Sequence, residues 1–196
     1  MDGTNLRELV YYAAVSLDGY IAGPAGQFDA FLAEGDHMNA MLARFPDAAP
    51  TVAAEALGIT QPASSFDTVL MGWNTYAVGL PYGMTSPYSH LRQIVFSGTR
   101  TAEGEGVTTT AENPVEVVRV LKAEPGADIW LCGGGALAAA LVDEIDRLVL
   151  KVNPVLLGDG IPLFAPGAYE ARWFAPVATT AYDSGVVVAE YLRRRS

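Results

Sequence analysis

Three consecutive glycines, Gly133-Gly134-Gly135, separate the apolar run Ile129 to Cys132 from the Ala/Leu-rich run Ala136 to Leu141. The first run reads as a buried strand and the second as a helix, so the glycines occupy a strand-to-helix turn. Without Cβ atoms such a turn adopts strained dihedrals and lets another group approach the backbone closely. The first helical turn leaves peptide N–H groups unpaired with the positive end of the dipole behind them, which stabilises an anion such as a pyrophosphate. The stretch is a candidate nucleotide cradle. It is not the G-x-G-x-x-G dinucleotide fingerprint, because Leu137 or Ala138 stands at the last position, and glycines also serve to pack a helix tightly on its strand. Metal chemistry is not expected, since Cys132, the single cysteine, has only His37 and His90 for company. Its apolar neighbours predict a buried, inert thiol.

The elements that must position this turn follow from the pattern of the chain. Leu9 to Val15 is continuously apolar, as a strand covered on both faces should be, and ends in the turn Ser16-Leu17-Asp18-Gly19. Tyr20-Ile21-Ala22 resumes it, and Gly23-Pro24-Ala25-Gly26-Gln27 is a loop and a candidate lid. Met38, Met41, Leu42 and Phe45 fall at helical spacing behind Asp36, a plausible N-cap, and Pro46 stops the helix. Residues 46–65 carry no pattern beyond a short helix near Val52 to Leu57. Phe66 to Met71 is a strand, and Gly72 turns it into a helix for which Asn74 or Thr75 is the expected cap. Residues 80–88 are irregular, either a plain connection or part of a substrate rim. Gln93 to Phe96 is a strand ending in Ser97-Gly98-Thr99-Arg100, and Val107 to Thr110 is a polar strand near an edge. Asn113-Pro114-Val115-Glu116 opens a helix that buries Val117, Val118 and Leu121. Arg147 to Asn153 alternates, with Val149 and Lys151 on one face, and Thr179 to Tyr182 and Val186 to Leu192 form an antiparallel hairpin. The class is α/β: a mostly parallel central sheet flanked by helices, with an antiparallel C-terminal hairpin. In such sheets ligands bind beyond the carboxyl ends of the strands, where the turns at Ser16, Gly72, Ser97 and Gly133 all lie.

At 196 residues, one domain spanning 1–196 is expected. Hydrophobic residues make up 51% and charged residues 17%, which leaves so little polar surface that an apolar face buried in a homodimer is expected, with a dimeric mass by light scattering as its check. The net charge of −10 repels phosphate backbones, so nucleic acid is not an expected partner, and Arg193, Arg194 and Arg195 read as a solvated tail. Asp2 and Glu8 precede the first apolar run without a cleavage site behind it, and no stretch approaches the ~20 apolar residues of a membrane helix. The expected location is the cytoplasm.

Taken in order, Ala13 to Ala22, Met71 to Tyr76, Val95-Phe96-Ser97 and Gly133 to Leu137 resemble the successive motifs of the dihydrofolate reductase superfamily. The Asn153 to Phe164 tail brings the chain nearest to stand-alone relatives of the C-terminal reductase domain of bacterial riboflavin-biosynthesis enzymes. The resemblance implies a dihydrofolate-reductase-like three-layer fold and NADPH as cofactor, with NADH as the other nicotinamide donor. It places Gly133, Gly134, Gly135, Ala136 and Leu137 at the pyrophosphate, and Gly72, Trp73, Asn74 and Thr75 at the phosphate of the adenosine half. Ser97 and Gly98 then lie near the adenine, and Ala14 and Ile21 offer backbone groups to the nicotinamide carboxamide. Trp73 stands where the motif usually has an arginine for the extra ribose phosphate of NADPH, so either Arg100 compensates or the preference for NADPH over NADH is relaxed. Tyr12 stands where true riboflavin reductases usually carry lysine, which weighs against a phosphorylated pyrimidine-ribose substrate. The candidate catalytic residues are Asp18, as a polar substrate contact, and Asp36, as the carboxylate behind the mobile loop. A turn residue and an N-cap are their competing structural roles.

The implied function is an NAD(P)H-dependent reductase of a small, pterin- or pyrimidine-like heterocycle. The alternatives are a dihydrofolate reductase with relaxed sequence and a nucleotide-binding module without catalysis.

Overall fold

A computed structural model describes residues 7–194, so Asp2 and Arg195 lie outside the described residues. The chain builds an eight-stranded sheet in which a one-residue step along a strand moves a side chain from one core to the other. Its strands are β1 (Leu9–Ser16), β3 (Phe66–Gly72), β4 (Arg92–Phe96), β5 (Val107–Thr110), β6 (Asp128–Gly133), β7 (Arg147–Asn153), β9 (Phe174–Ala181) and β10 (Val187–Arg193). They lie in the order β5-β4-β3-β6-β1-β7-β10-β9. The first six are parallel, and β10 and β9 close the sheet antiparallel. A separate two-stranded sheet pairs β2 (Tyr20–Ala22) with β8 (Ile161–Pro162).

Because β1 lies at the centre, its residues alternate between cores and none is spared burial. Leu9 and Tyr11 join Leu70, Ile129 and Leu131 under α4 (Pro114–Ala123) and α5 (Gly135–Ala140), which contribute Val118, Leu121, Leu137 and Ala138. Val10 and Tyr12 point the other way, with Val69, Met71, Trp130 and Val149, beneath Met41 of α1 (Asp36–Arg44) and Tyr76 of α3 (Trp73–Ala77). The expected layers are present.

Several local expectations are corrected. Asp36 is the first residue of α1 and not its N-cap, a place held by Gly35 with no side-chain bond. Gly72 likewise precedes α3, so Asn74 and Thr75 lie within its first turn and do not cap it. Strand β9 begins at Phe174, well before Thr179, because Pro176 is tolerated on an edge strand that need not donate on both sides. Arg193 is not a solvated tail residue. It ends β10, donates to Ile145 O at 2.6 Å and lies over the Phe174 ring. Cys132 is only half-buried, although burial still pushes its thiol up to about 12.

The patternless stretch 46–65 holds the short helix α2 (Thr51–Ala56) and is organised by Asp47. This carboxylate is fully buried and accepts the amides of Ala63 (2.9 Å), Ser65 (2.8 Å) and Phe66 (3.3 Å). It fixes the entry into β3. Among the described residues no helix is long and apolar enough to cross a membrane.

Candidate active site

The parallel strands end on one edge, and there the register makes neighbours of distant turns. Met71 is level with Gly133 and Gly72 with Phe96, so the ends of β3, β4 and β6 form one shelf. The three glycines after β6 have three different duties. Gly133 has φ +139°, a conformation side chains rarely adopt, and its peptide bond to Gly134 is cis. A Cβ on Gly135 would stand 2.2 Å from the Pro162 carbonyl oxygen, so this glycine lets β8 pack against α5. Gly134 is half-exposed, and a Cβ there would meet only Thr75 Oγ1 at 3.4 Å and Ile21 Cδ1 at 3.9 Å. Of the three, only Gly134 is not buried. Ala138 makes the first helical bond, to Gly134 O, so the amides of Gly135, Ala136 and Leu137 have no acceptor within the helix. They form the first turn of a short helix of modest dipole, where a backbone-hugging anion can reach them.

Beside the shelf is a cleft of about 250 Å³ lined by Trp73, Asn74, Ser97, Gly98, Thr99 and Arg100. Two short turns, after β3 and after β4, bring these residues together. The Arg100 guanidinium lies over the Trp73 ring, 5.4 Å from its centroid, and the Arg100 amide donates to Ser97 Oγ at 2.9 Å. The cation is therefore held over an aromatic face while its N–H groups stay exposed to the cleft. Helix α3 joins cleft to shelf, since Trp73 and Asn74 line the one and Thr75 borders the other. Thr99 is the lining residue that motif reasoning passed over. A polar loop position beside Gly98 carries no signal of its own.

Asp18 and Asp36 do not meet. Asp18 accepts the Ser16 hydroxyl at 2.6 Å and the amides of Leu157 (3.1 Å) and Gly158 (2.7 Å). The Ser16 hydroxyl, opposed by desolvation and aided by the two amides, holds its carboxyl below the usual carboxylate range. An anion with both oxygens accepting is a brace between the β1–β2 turn and the loop before β8. Asp36 accepts the amides of Asp183 (2.7 Å) and Ser184 (3.2 Å) in the β9–β10 turn. Desolvation raises its pKa, but those amides outweigh it and hold the carboxyl below the usual range. The next residue, His37, continues this tie, with Nδ1 2.9 Å from Ser184 Oγ and Nε2 3.2 Å from Leu32 O.

Ala14 lies near the end of β1 between β6 and β7, and Ile21 borders Gly134 from β2. Among the described residues no group of three or more His, Cys, Asp and Glu side chains is placed to hold a metal ion.

Residues 7–188 match the family model of the RibD C-terminal domain. The chain is 34% identical over 164 residues to the uncharacterized protein YwjB of Bacillus subtilis strain 168, covering 81% of this chain and 83% of that protein. Among solved structures, a candidate riboflavin biosynthesis protein from Shewanella sp. PV-4 superposes with a TM-score of 0.73 at 23% identity, over 96% of this chain and 99% of its own. A diaminohydroxyphosphoribosylaminopyrimidine deaminase/5-amino-6-(5-phosphoribosylamino)uracil reductase from Thermotoga maritima gives 0.65 at 15% identity, over 96% of this chain and 57% of that longer chain. The fold is that of the dihydrofolate-reductase-like proteins.

Proposed function

The chain belongs to the RibD C-terminal domain family, and from that premise we propose that it is a reductase taking hydride from a nicotinamide dinucleotide to a small heterocycle. One observation carries the proposal: the open Gly134 shelf and the Trp73–Arg100 cleft adjoin across α3, which suits the pyrophosphate and adenosine of one extended dinucleotide. The glycine turn fits such a ligand because a side chain at Gly134 would fill the space and is absent. Gly134 to Leu137 would hold the pyrophosphate by backbone amides, Asn74, Thr75, Ser97 and Gly98 the adenosine half, and Ala14 and Ile21 the carboxamide. The bound nicotinamide would supply the reducing pair, and the protein orientation and exclusion of water.

Titration with NADPH, and separately with NADH, tests this through quenching of Trp73 and Trp130 fluorescence. Binding in the micromolar range is expected, and no change at millimolar nucleotide overturns it. Arg100 makes NADPH the preferred donor in this proposal, since its exposed guanidinium is the cation beside Trp73 for the extra ribose phosphate. Arg100→Gln should weaken NADPH about tenfold, a charge-assisted bond discounted for solvent screening, and leave NADH unchanged. Equal losses for both nucleotides would assign Arg100 to the adenine or to the loop itself.

A binding module without turnover is the second reading, favoured by the commitment of Asp18 and Asp36 to backbone amides. The same commitment of Asp36 counts against a dihydrofolate reductase that needs that carboxylate. Reduction of any pterin or pyrimidine by NADPH excludes the module.

A further inference from the structure

The segment 154–165, which leaves β7 and carries β8, is fastened to the β1–β2 region from one end to the other. Leu17 N donates to Val155 O at 2.9 Å, and Leu163 N donates to Gly19 O at 2.9 Å. Between these bonds β8 pairs with β2, Tyr20 against Pro162 and Ala22 against Ile161. A Cβ on Gly160 would stand 2.1 Å from Ala22 O, so the two backbones are in direct contact. The Tyr11 hydroxyl donates to Leu163 O at 3.0 Å, and its ring meets Phe164 edge-on at 5.5 Å. The segment is a strap. From 156 to 158 its only hydrogen bonds to another element, among the described residues, end on the Asp18 carboxylate.

The far end of the strap lies on the glycine turn. Ala165 N donates to Gly135 O at 3.0 Å, and Pro162 O fills the place a side chain on Gly135 would take. Gly135 C=O and Ala136 N–H are the two ends of one planar peptide unit, so a donor that fixes the oxygen also fixes the direction of the N–H. That N–H is one of the three with no acceptor inside α5. Asp18 and the Ala136 amide are therefore joined by one short run of chain that is bonded at both ends.

We propose that Asp18 is a positioning residue for the nucleotide: through the strap it holds the Gly135–Ala136 peptide with its N–H turned to the shelf. The identity of the bound group rests on the reductase reading, whereas the mechanical link does not. Such a link acts in both directions, so an anion held at the Ala136 amide also steadies Leu157 and Gly158 on Asp18. Both carboxylate oxygens are in use, Oδ1 by Ser16 and Leu157 and Oδ2 by Leu157 and Gly158. Asparagine keeps the volume and one acceptor but turns an NH2 group toward a donor, so Asp18→Asn unfastens the strap without opening a cavity. Asp36→Asn is the matching control, because Asp36 makes the same kind of tie, to the amides of Asp183 and Ser184, on the opposite flank of β1.

Hydrogen–deuterium exchange of the intact chain, read by peptide mass spectrometry, tests the link without any ligand. Asp18→Asn should speed exchange about tenfold over 155–165 and over 133–141, and Asp36→Asn should change neither. Faster exchange confined to the strap makes Asp18 a local brace and overturns the proposal, whether or not the chain binds a nucleotide. In the unaltered chain, saturating NADPH should slow exchange at Leu157 and Gly158, a response that a brace serving the fold alone would not give. Fluorescence titration completes the test. The Kd for NADPH should rise about tenfold in Asp18→Asn, the worth of one charge-assisted bond held in place, and stay within about twofold in Asp36→Asn. An unchanged Kd in Asp18→Asn, or an equal loss in both variants, overturns the proposal. A chain that binds no nicotinamide nucleotide, yet carries the Asp18→Asn effect through to 133–141, would keep the strap and remove the reductase instead.

Discussion

Gly134→Val leaves the chain folded and abolishes NADPH binding. The backbone at Gly134 has φ −95° and ψ −169°, which a valine adopts without strain. Its first carbon would stand 3.4 Å from Thr75 Oγ1 and 3.9 Å from Ile21 Cδ1, so the protein has room for that carbon. The ligand does not. A branched side chain rising from the shelf displaces an anion from the amides of Gly135 to Leu137, and losing two charge-assisted bonds of about 1.5–3 kcal/mol each weakens binding more than a hundredfold. Gly135→Ala is the matching control. Its methyl group would meet the Pro162 carbonyl at 2.2 Å, so β8 must move, and about 1–3 kcal/mol of stability goes with it. Fluorescence titration beside thermal unfolding by circular dichroism separates the two effects. NADPH binding by a folded Gly134→Val chain would make all three glycines packing devices and end the reductase proposal.

Asp47→Ala produces the largest loss of stability, about 3–5 kcal/mol. The carboxylate is completely excluded from solvent and is the acceptor for three backbone amides. Removing it orphans all three in a place water does not reach, at about 1–3 kcal/mol each before the chain relaxes. One of them belongs to Ala63, held at φ +53°, where a residue with a side chain stays only if its neighbours insist. A urea midpoint that falls with an unchanged slope is the expected signature. Asp47→Asn should recover part of the loss, because its one carbonyl oxygen still accepts. A cost below about 1 kcal/mol would mean that water enters and satisfies the amides.

Asp47 also shows where a sequence stops being readable. The strands β1, β3, β4 and β6 announced themselves by apolar runs ending in glycine or serine, and α4 by its Asn113 cap, whose side chain does accept from Val115 at 2.9 Å. Such signals are local, and the physics behind them acts within a few residues. A buried aspartate in Pro-Asp-Ala-Ala-Pro looks like any solvated turn residue until the chain returns to offer it three amides. The same holds for Asp36, whose amide partners lie in the C-terminal hairpin, and for Asp18, whose amide partners lie beyond β7. Both aspartates were legible as special and illegible as to what they hold. The residues proposed for the cofactor were more readable as neighbours, since Trp73, Asn74, Ser97, Gly98 and Arg100 border one cleft directly behind strand ends.

The strand order gives the proposed site a divided inheritance. The shelf and cleft come from β3, β4 and β6 with α3 and α5, on one side of β1, whereas α1 is tied through Asp36 and Arg44 to the β9–β10 hairpin on the other. With few partners in common, substitutions in the two territories should combine additively. A lineage of the proposed reductase that exchanges residues on α1, β7 and the hairpin would leave the donor side untouched. Diversity among such proteins would gather on one flank of a single strand.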